Sequence, residues 1–209
     1  MHLETTEKRP STRTEVARWV SIIVHPIAFP LVALGIALYL ATYSLQSALG
    51  WIVMAIGLTS LPVAFLVVVQ VIRRKWTDLD VSERRERYIL YPFGIVCMLA
   101  LTLSYIHFDA PAIAVRSGYA LVIANIVDGA INLGYKVSAH ATGAAASAAL
   151  ILLATPFLGL SIAAVCAALL VGWSRVELQR HTRGQVLLGW LVGALAMVIA
   201  FHLPVPSHI

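Results

Sequence analysis

Apolar runs recur along the chain, most of about 20 residues, the length that crosses a hydrocarbon layer roughly 30 Å thick as one helix. They cover residues 20–42, 48–72, 88–107, 111–133, 141–154, 157–173 and 186–203. Backbone inside lipid must satisfy its own hydrogen bonds, so a continuous apolar run of this length folds as a helix. With 60% hydrophobic and 12% charged residues in 209 positions, the chain has too little polar surface to cover itself in water. Pro156 interrupts a stretch too long for one span, and a proline there either kinks a helix or marks a turn. A kink gives six spans and a turn gives seven. Seven is the preferred reading of an all-α fold, a polytopic membrane helical bundle of six to seven transmembrane helices.

No repeat, low-complexity linker or second domain interrupts the pattern, and the polar stretches between spans are too short to fold alone. The expectation is one membrane-embedded domain over residues 1–209, with a polar N-terminal tail at 1–18. That tail does not resemble a cleaved signal peptide, and the first apolar run is long enough to remain in the bilayer. Cys97 and Cys166 lie in different spans without the paired spacing of a zinc or redox motif, so they read as packing residues.

Alternating seven spans puts the tail, the 73–87 loop, the 133–140 turn and the 174–185 turn on one side. Fourteen of the 15 Lys and Arg residues then share that side, Arg116 being the exception. Setting aside six basic residues with possible chemical roles leaves eight against one. The positive-inside rule makes this face cytoplasmic, and an integral protein of the plasma membrane is expected. The net charge of +5 then follows from topology and attraction to anionic lipid, not from nucleic-acid binding.

Three polar clusters converge on that face. In the last, Ser174-Arg175-Val-Glu-Leu-Gln-Arg-His181-Thr-Arg-Gly-Gln185, Ser174 and Glu177 stand at capping-box spacing, so a helix is expected to begin there. On it His181 and Gln185 would share a face. A histidine held by a neighbouring side chain keeps one tautomer and leaves its other nitrogen free to attack an electrophile. Arg175, planar and permanently charged, suits two-point contact with phosphate oxygens. The plainer alternative is a basic juxtamembrane turn.

The middle cluster reads Lys136-Val-Ser138-Ala-His140, followed by small residues over 141–149. A helix starting near Ser138 would offer free amides and its dipole to an anion beside Lys136 and His140. The small residues suit close helix packing. Before them, Asn125, Asp128, Asn132 and Lys136 form a polar stripe. Asp128 should face the interior and meet Lys136 or an Arg, because an unpaired intramembrane carboxylate is costly. The stripe can equally be glue between helices, or line a transport path. In the first cluster, over 73–88, Arg73, Arg74 and Lys75 read as a solvated loop. Arg84 and Arg87, three residues apart at the entrance to the next span, could reach a shared anion.

These residues resemble the three-part signature of the type 2 phosphatidic acid phosphatase superfamily, across residues 75–185. Ser174-Arg175, five residues, His181, three residues and Gln185 match the third motif except at the last position, where the family has Asp. Val137-Ser138-Ala139-His140 keeps the Ser and His of Pro-Ser-Gly-His. In the first motif, Lys, six residues, Arg-Pro, Arg87 is retained and Asp80 stands where Lys belongs.

The resemblance implies an integral membrane lipid phosphatase hydrolysing a phosphomonoester or diphosphate of an amphipathic lipid. Phosphatidic acid, phosphatidylglycerol phosphate and isoprenyl phosphate or diphosphate are candidate substrates. It assigns His181 as the nucleophile forming a phosphohistidine, His140 as the acid for the leaving oxygen, and Gln185 as its orienting group. Arg175, Lys136, Ser138, Arg84 and Arg87 would bind the phosphate. No metal or other cofactor is expected, since cations do the electrostatic work. The expected partners are membrane lipids, with no nucleic acid. A lipid phosphotransferase would use the same residues, and a non-catalytic lipid-binding or transport protein would use the polar stripe.

Overall fold

A computed structural model describes residues 11–24 and 27–206. Among them are nine α-helices: α1 Thr12–Ile23, α2 Ala28–Thr42, α3 Leu45–Ala55, α4 Leu61–Ile72, α5 Arg87–His107, α6 Ala112–Asn132, α7 Ala139–Ala154, α8 Leu158–Glu177 and α9 Arg183–His202. Residues 1–10 of the expected tail lie outside the described residues.

The first apolar run differs from expectation. Ser11 caps α1 by accepting the Thr14 amide at 3.2 Å, so helix starts inside the stretch read as tail. It meets α2 at a bend of 47°. α1 lies on α8, and Arg13 Nε pairs with Glu177 at 2.8 Å. In the second run α3 and α4 are joined by a π-helical turn at Ile56–Ser60 into one continuous stretch, Leu45–Ile72, of 28 residues. Pro62 lies two residues beyond that turn. Its missing amide cannot bond four residues back, and the backbone widens just before it.

Leu45–Ile72, α5, α6, α8 and α9 are long and apolar enough to cross a membrane, and α1 with α2 makes a sixth candidate if counted as one bent span. α7, of 16 residues, is shorter, about 24 Å. Pro156 lies in the non-helical break between α7 and α8, so the proline marks a turn. Counting α7 and the bent pair, seven apolar passages form the bundle.

α7 is central, packed against α9, α8, α2 and α6. Its small residues are what let it sit there. A Cβ at Gly189 of α9 would fall 2.7 Å from the Ser138 carbonyl oxygen, and one at Gly193 would collide with the Thr142 carbonyl. The α7 and α9 backbones therefore touch almost directly, as small residues permit in lipid. Leucines 187, 191 and 195 point outward, as expected of a surface that meets acyl chains. Cys97 is buried, but Cys166 is exposed on α8. Cys166 is therefore not the packing residue expected, because its side of α8 faces out of the bundle.

Candidate active site

The α4–α5 loop, the α6–α7 turn and the α8–α9 turn meet at one end of the bundle, where hydrogen bonds tie them together. No helix begins at Ser174. It lies near the C-terminal end of α8, buried, with its hydroxyl donating to the Val171 carbonyl at 2.7 Å. The end of α8 is a Schellman turn: Arg180 N–H bonds to the Arg175 carbonyl at 3.0 Å and Gln179 N–H to the Val176 carbonyl at 3.0 Å, with Gln179 left-handed at φ 55. That turn usually takes glycine. Its absence hid the helix end, and the Ser174–Glu177 spacing suggested a cap that does not form.

The capping box is eight residues later. Thr182 caps α9, accepting the Gln185 amide at 3.3 Å, while Gln185 Oε1 accepts the Thr182 amide at 3.2 Å. His181 precedes the helix instead of riding on its face. It is still held: its Nδ1 lies 3.0 Å from Gln185 Oε1. The Thr182 backbone N–H can only donate, which identifies the amide atom facing it as oxygen. That oxygen can only accept, so Nδ1 carries the hydrogen. Nε2 is left with its lone pair. Burial pushes the His181 pKa down, with Arg87, Lys136 and Arg175 adding to the effect against the Gln185 hydrogen bond, to about 3. At neutral pH the ring is uncharged.

Ser138 is buried and caps α7, accepting the Ala141 amide at 3.4 Å. Its own amide donates to the Gln185 carbonyl at 3.3 Å, which joins the middle and last clusters. His140, in the first turn of α7, is half-buried and lies in the electrostatic field of Arg175, Asp80, His181 and Arg87. Lys136 Nζ donates to the Arg180 carbonyl at 3.3 Å. Burial first, then Arg87, lowers the pKa of that amine.

Arg84 and Arg87 do not converge on one anion. Arg84 Nη1 donates to the Leu133 and Gly134 carbonyls at 3.3 and 2.8 Å, satisfying the open end of α6. Arg87 is buried, with Nε on the Val81 carbonyl and Nη1 on the Val137 carbonyl, both at 2.8 Å. It staples the first cluster to the middle one. Arg73, Arg74 and Lys75 are exposed, as a solvated loop should be. Asp128 faces the interior as expected, beside Thr142 and in the field of Arg87, but Lys136 turns to Arg180 instead of meeting it, and Asp128 Oδ1 has no hydrogen-bond partner. In the same stripe Asn132 Nδ2 donates to the Arg84 carbonyl at 3.2 Å, a gluing contact.

Arg175 is buried at 3% exposure. Its Nη2 pairs with Asp80 Oδ2 at 2.9 Å, and its Nη1 donates to Ser21 Oγ of α1 at 3.2 Å. Sequence reasoning missed both partners. Asp80 was visible only as a misfit in the first motif, and nothing in the sequence pointed to Ser21. Burial alone would raise the Asp80 pKa, but the hydrogen bond and charge of Arg175, with His140 and Arg180, hold it below the usual carboxylate range. The next residue, Val81, is buried at φ 50, a conformation costing about 1–3 kcal/mol for a branched side chain. Among the described residues no group of three or more His, Cys, Asp or Glu could hold a metal ion.

A family model described as the PAP2 superfamily matches residues 104–208, just over half of the 209 residues. The match takes in the middle and last clusters and leaves out the first. No curated protein and no solved structure matches the chain.

Proposed function

Because the chain belongs to the PAP2 superfamily, whose members are in general phosphatases, we propose that it is a membrane lipid phosphatase working through a phosphohistidine at His181. Its substrate would be a phosphomonoester or diphosphate of an amphipathic lipid: phosphatidic acid, phosphatidylglycerol phosphate or an isoprenyl phosphate or diphosphate. The observation that carries this reading is the Thr182–Gln185–His181 chain of hydrogen bonds, which leaves Nε2 as a neutral, oriented nucleophile.

Nε2 attacks phosphorus as the bond to the lipid oxygen breaks. His140, protonated once the phosphate dianion sits beside it, gives its proton to that oxygen, and the lipid alcohol leaves. Water then attacks the phosphohistidine, passing a proton to His140 as phosphate departs, and His181 is restored. Arg175 and Lys136 supply the positive field in which charge on the phosphoryl oxygens is stabilised. Arg87 adds to that field from its buried position, and the free amides at the Ser138 end of α7 supply further donors. Arg84 contributes by holding the loop to α6. Cations in these places make a divalent metal unnecessary. The site would open to the cytoplasmic face of the plasma membrane, as the distribution of Lys and Arg supports.

Release of free phosphate from a panel of these lipids by purified protein tests the reading, with His181→Ala as control. Free phosphate that depends on His181 supports hydrolysis. Phosphoryl transfer to an alcohol without free phosphate would instead make the chain a phosphotransferase.

A further inference from the structure

We propose that Asp80 is a resident anion in the phosphate cradle, a side chain that occupies the Arg175 guanidinium until the substrate phosphate displaces it. The proposal rests on the reading above, in which Arg175 binds phosphate. One carboxylate oxygen, Asp80 Oδ2, lies 2.9 Å from Arg175 Nη2 and 3.9 Å from Arg180 Nε. It bridges two guanidiniums, as a phosphoryl oxygen would.

The two partners are unequally placed. The Arg175 side chain is 4% exposed and that of Asp80 is 35% exposed. The guanidinium is the fixture, and the carboxylate is the group that can turn into water. A buried guanidinium left bare is strongly disfavoured, so an exchange of one anion for another is the accessible route. Asp80 is also an incomplete ligand. Arg175 Nε is buried with no hydrogen-bond partner, so the guanidinium meets the carboxylate at one nitrogen, whereas a phosphate can meet it at two.

The backbone on either side is anchored, so displacement needs only side-chain rotation. Val81 is buried beside Trp76 and Val67, and its carbonyl is held by Arg87. Ser82 N–H donates to Asp78 Oδ1 at 3.1 Å. Asp80 thus acts on substrate affinity and selectivity, favouring ligands able to outcompete a carboxylate for Arg175.

The test compares purified wild type with Asp80→Asn and Asp80→Ala. For both variants KM for a lipid phosphate and the inhibition constant of inorganic phosphate should fall together, by roughly five-fold, with kcat within about twofold of wild type. Unchanged or weaker phosphate affinity in both variants overturns the proposal, since a carboxylate that merely positions Arg175 would help phosphate to bind. Calorimetric titration with inorganic phosphate, which needs no turnover, separates this idea from the hydrolase reading. Tighter phosphate binding by both variants, with no turnover in any of the three proteins, would keep the resident anion and remove the hydrolase. Turnover with unaltered phosphate binding would do the reverse.

Discussion

A histidine in water divides its proton between two ring nitrogens and titrates near neutrality. His181 does neither, because Gln185 fixes its Nδ1 hydrogen and burial with three nearby cations keeps the ring neutral. His181→Ala should abolish phosphate release, by at least about a thousandfold. Gln185→Ala should slow turnover by roughly tenfold, the worth of one hydrogen bond, while lipid binding changes little. If Gln185→Ala is fully active at every pH while His181→Ala is dead, another group orients the nucleophile. Gln185→Asp puts a negative charge against the ring, which favours the protonated form and raises the pKa. In the proposed mechanism the neutral form attacks, so the acid limb of the kcat profile should move to higher pH, and an unmoved limb would show that the two side chains do not communicate. The contact itself was legible in the four-residue spacing of His181 and Gln185. Its origin was not, because the spacing suggested one helical face and the structure uses the loop before a Thr182 cap. Gln179 explains the error: a left-handed glutamine ends α8 where a glycine would have announced the turn. Gln179→Gly should raise the thermal midpoint of the detergent-solubilised protein, a gain of up to about 1 kcal/mol, and a loss of stability would contradict that account.

At the scale of elements, the site depends on how near α7 comes to α9. His140 is in the first turn of one and His181 just precedes the other, so their separation follows from the contact at Gly189 and Gly193. Gly193→Val should separate the helices, lowering stability by about 1–3 kcal/mol and reducing phosphate release. Gly159→Ala, which meets open space, should leave both unchanged. A Gly193→Val protein as stable and active as wild type would show that the close approach does not position the site. The spans were largely readable because apolar run length is a strong signal in lipid. The small residues after His140 were readable as packing, although not which helix they would meet. The bend between α1 and α2 was not readable from hydropathy, which runs on across residues 20–42, although Pro26 in that run is a helix breaker. Asp128 and Lys136 illustrate the same limit. Their spacing along one face said nothing of the Arg180 carbonyl, which comes from a turn far away in sequence.

For the molecule as a whole, the three polar clusters and α1 gather at one end of a bundle whose flanks are apolar, while the opposite end carries the exposed His107, Asp109 and His202. A single cysteine at Glu83, with Cys97 and Cys166 replaced by Ala, should resist an impermeant thiol reagent added to intact cells and react once the membrane is opened. Labelling from outside would invert the orientation without touching the chemistry. Phosphate release should continue in excess EDTA, because the proposed phosphate cradle is built of Arg and Lys, and loss of activity restored by magnesium would contradict that cradle. The central claim is that His181 itself becomes phosphorylated. It is tested most directly by rapid acid-free quenching of purified protein with radiolabelled lipid phosphate. Wild type should form an alkali-stable, acid-labile phosphoenzyme and His181→Ala none, whereas turnover by His181→Ala, or a phosphoenzyme that survives in it, would contradict the mechanism.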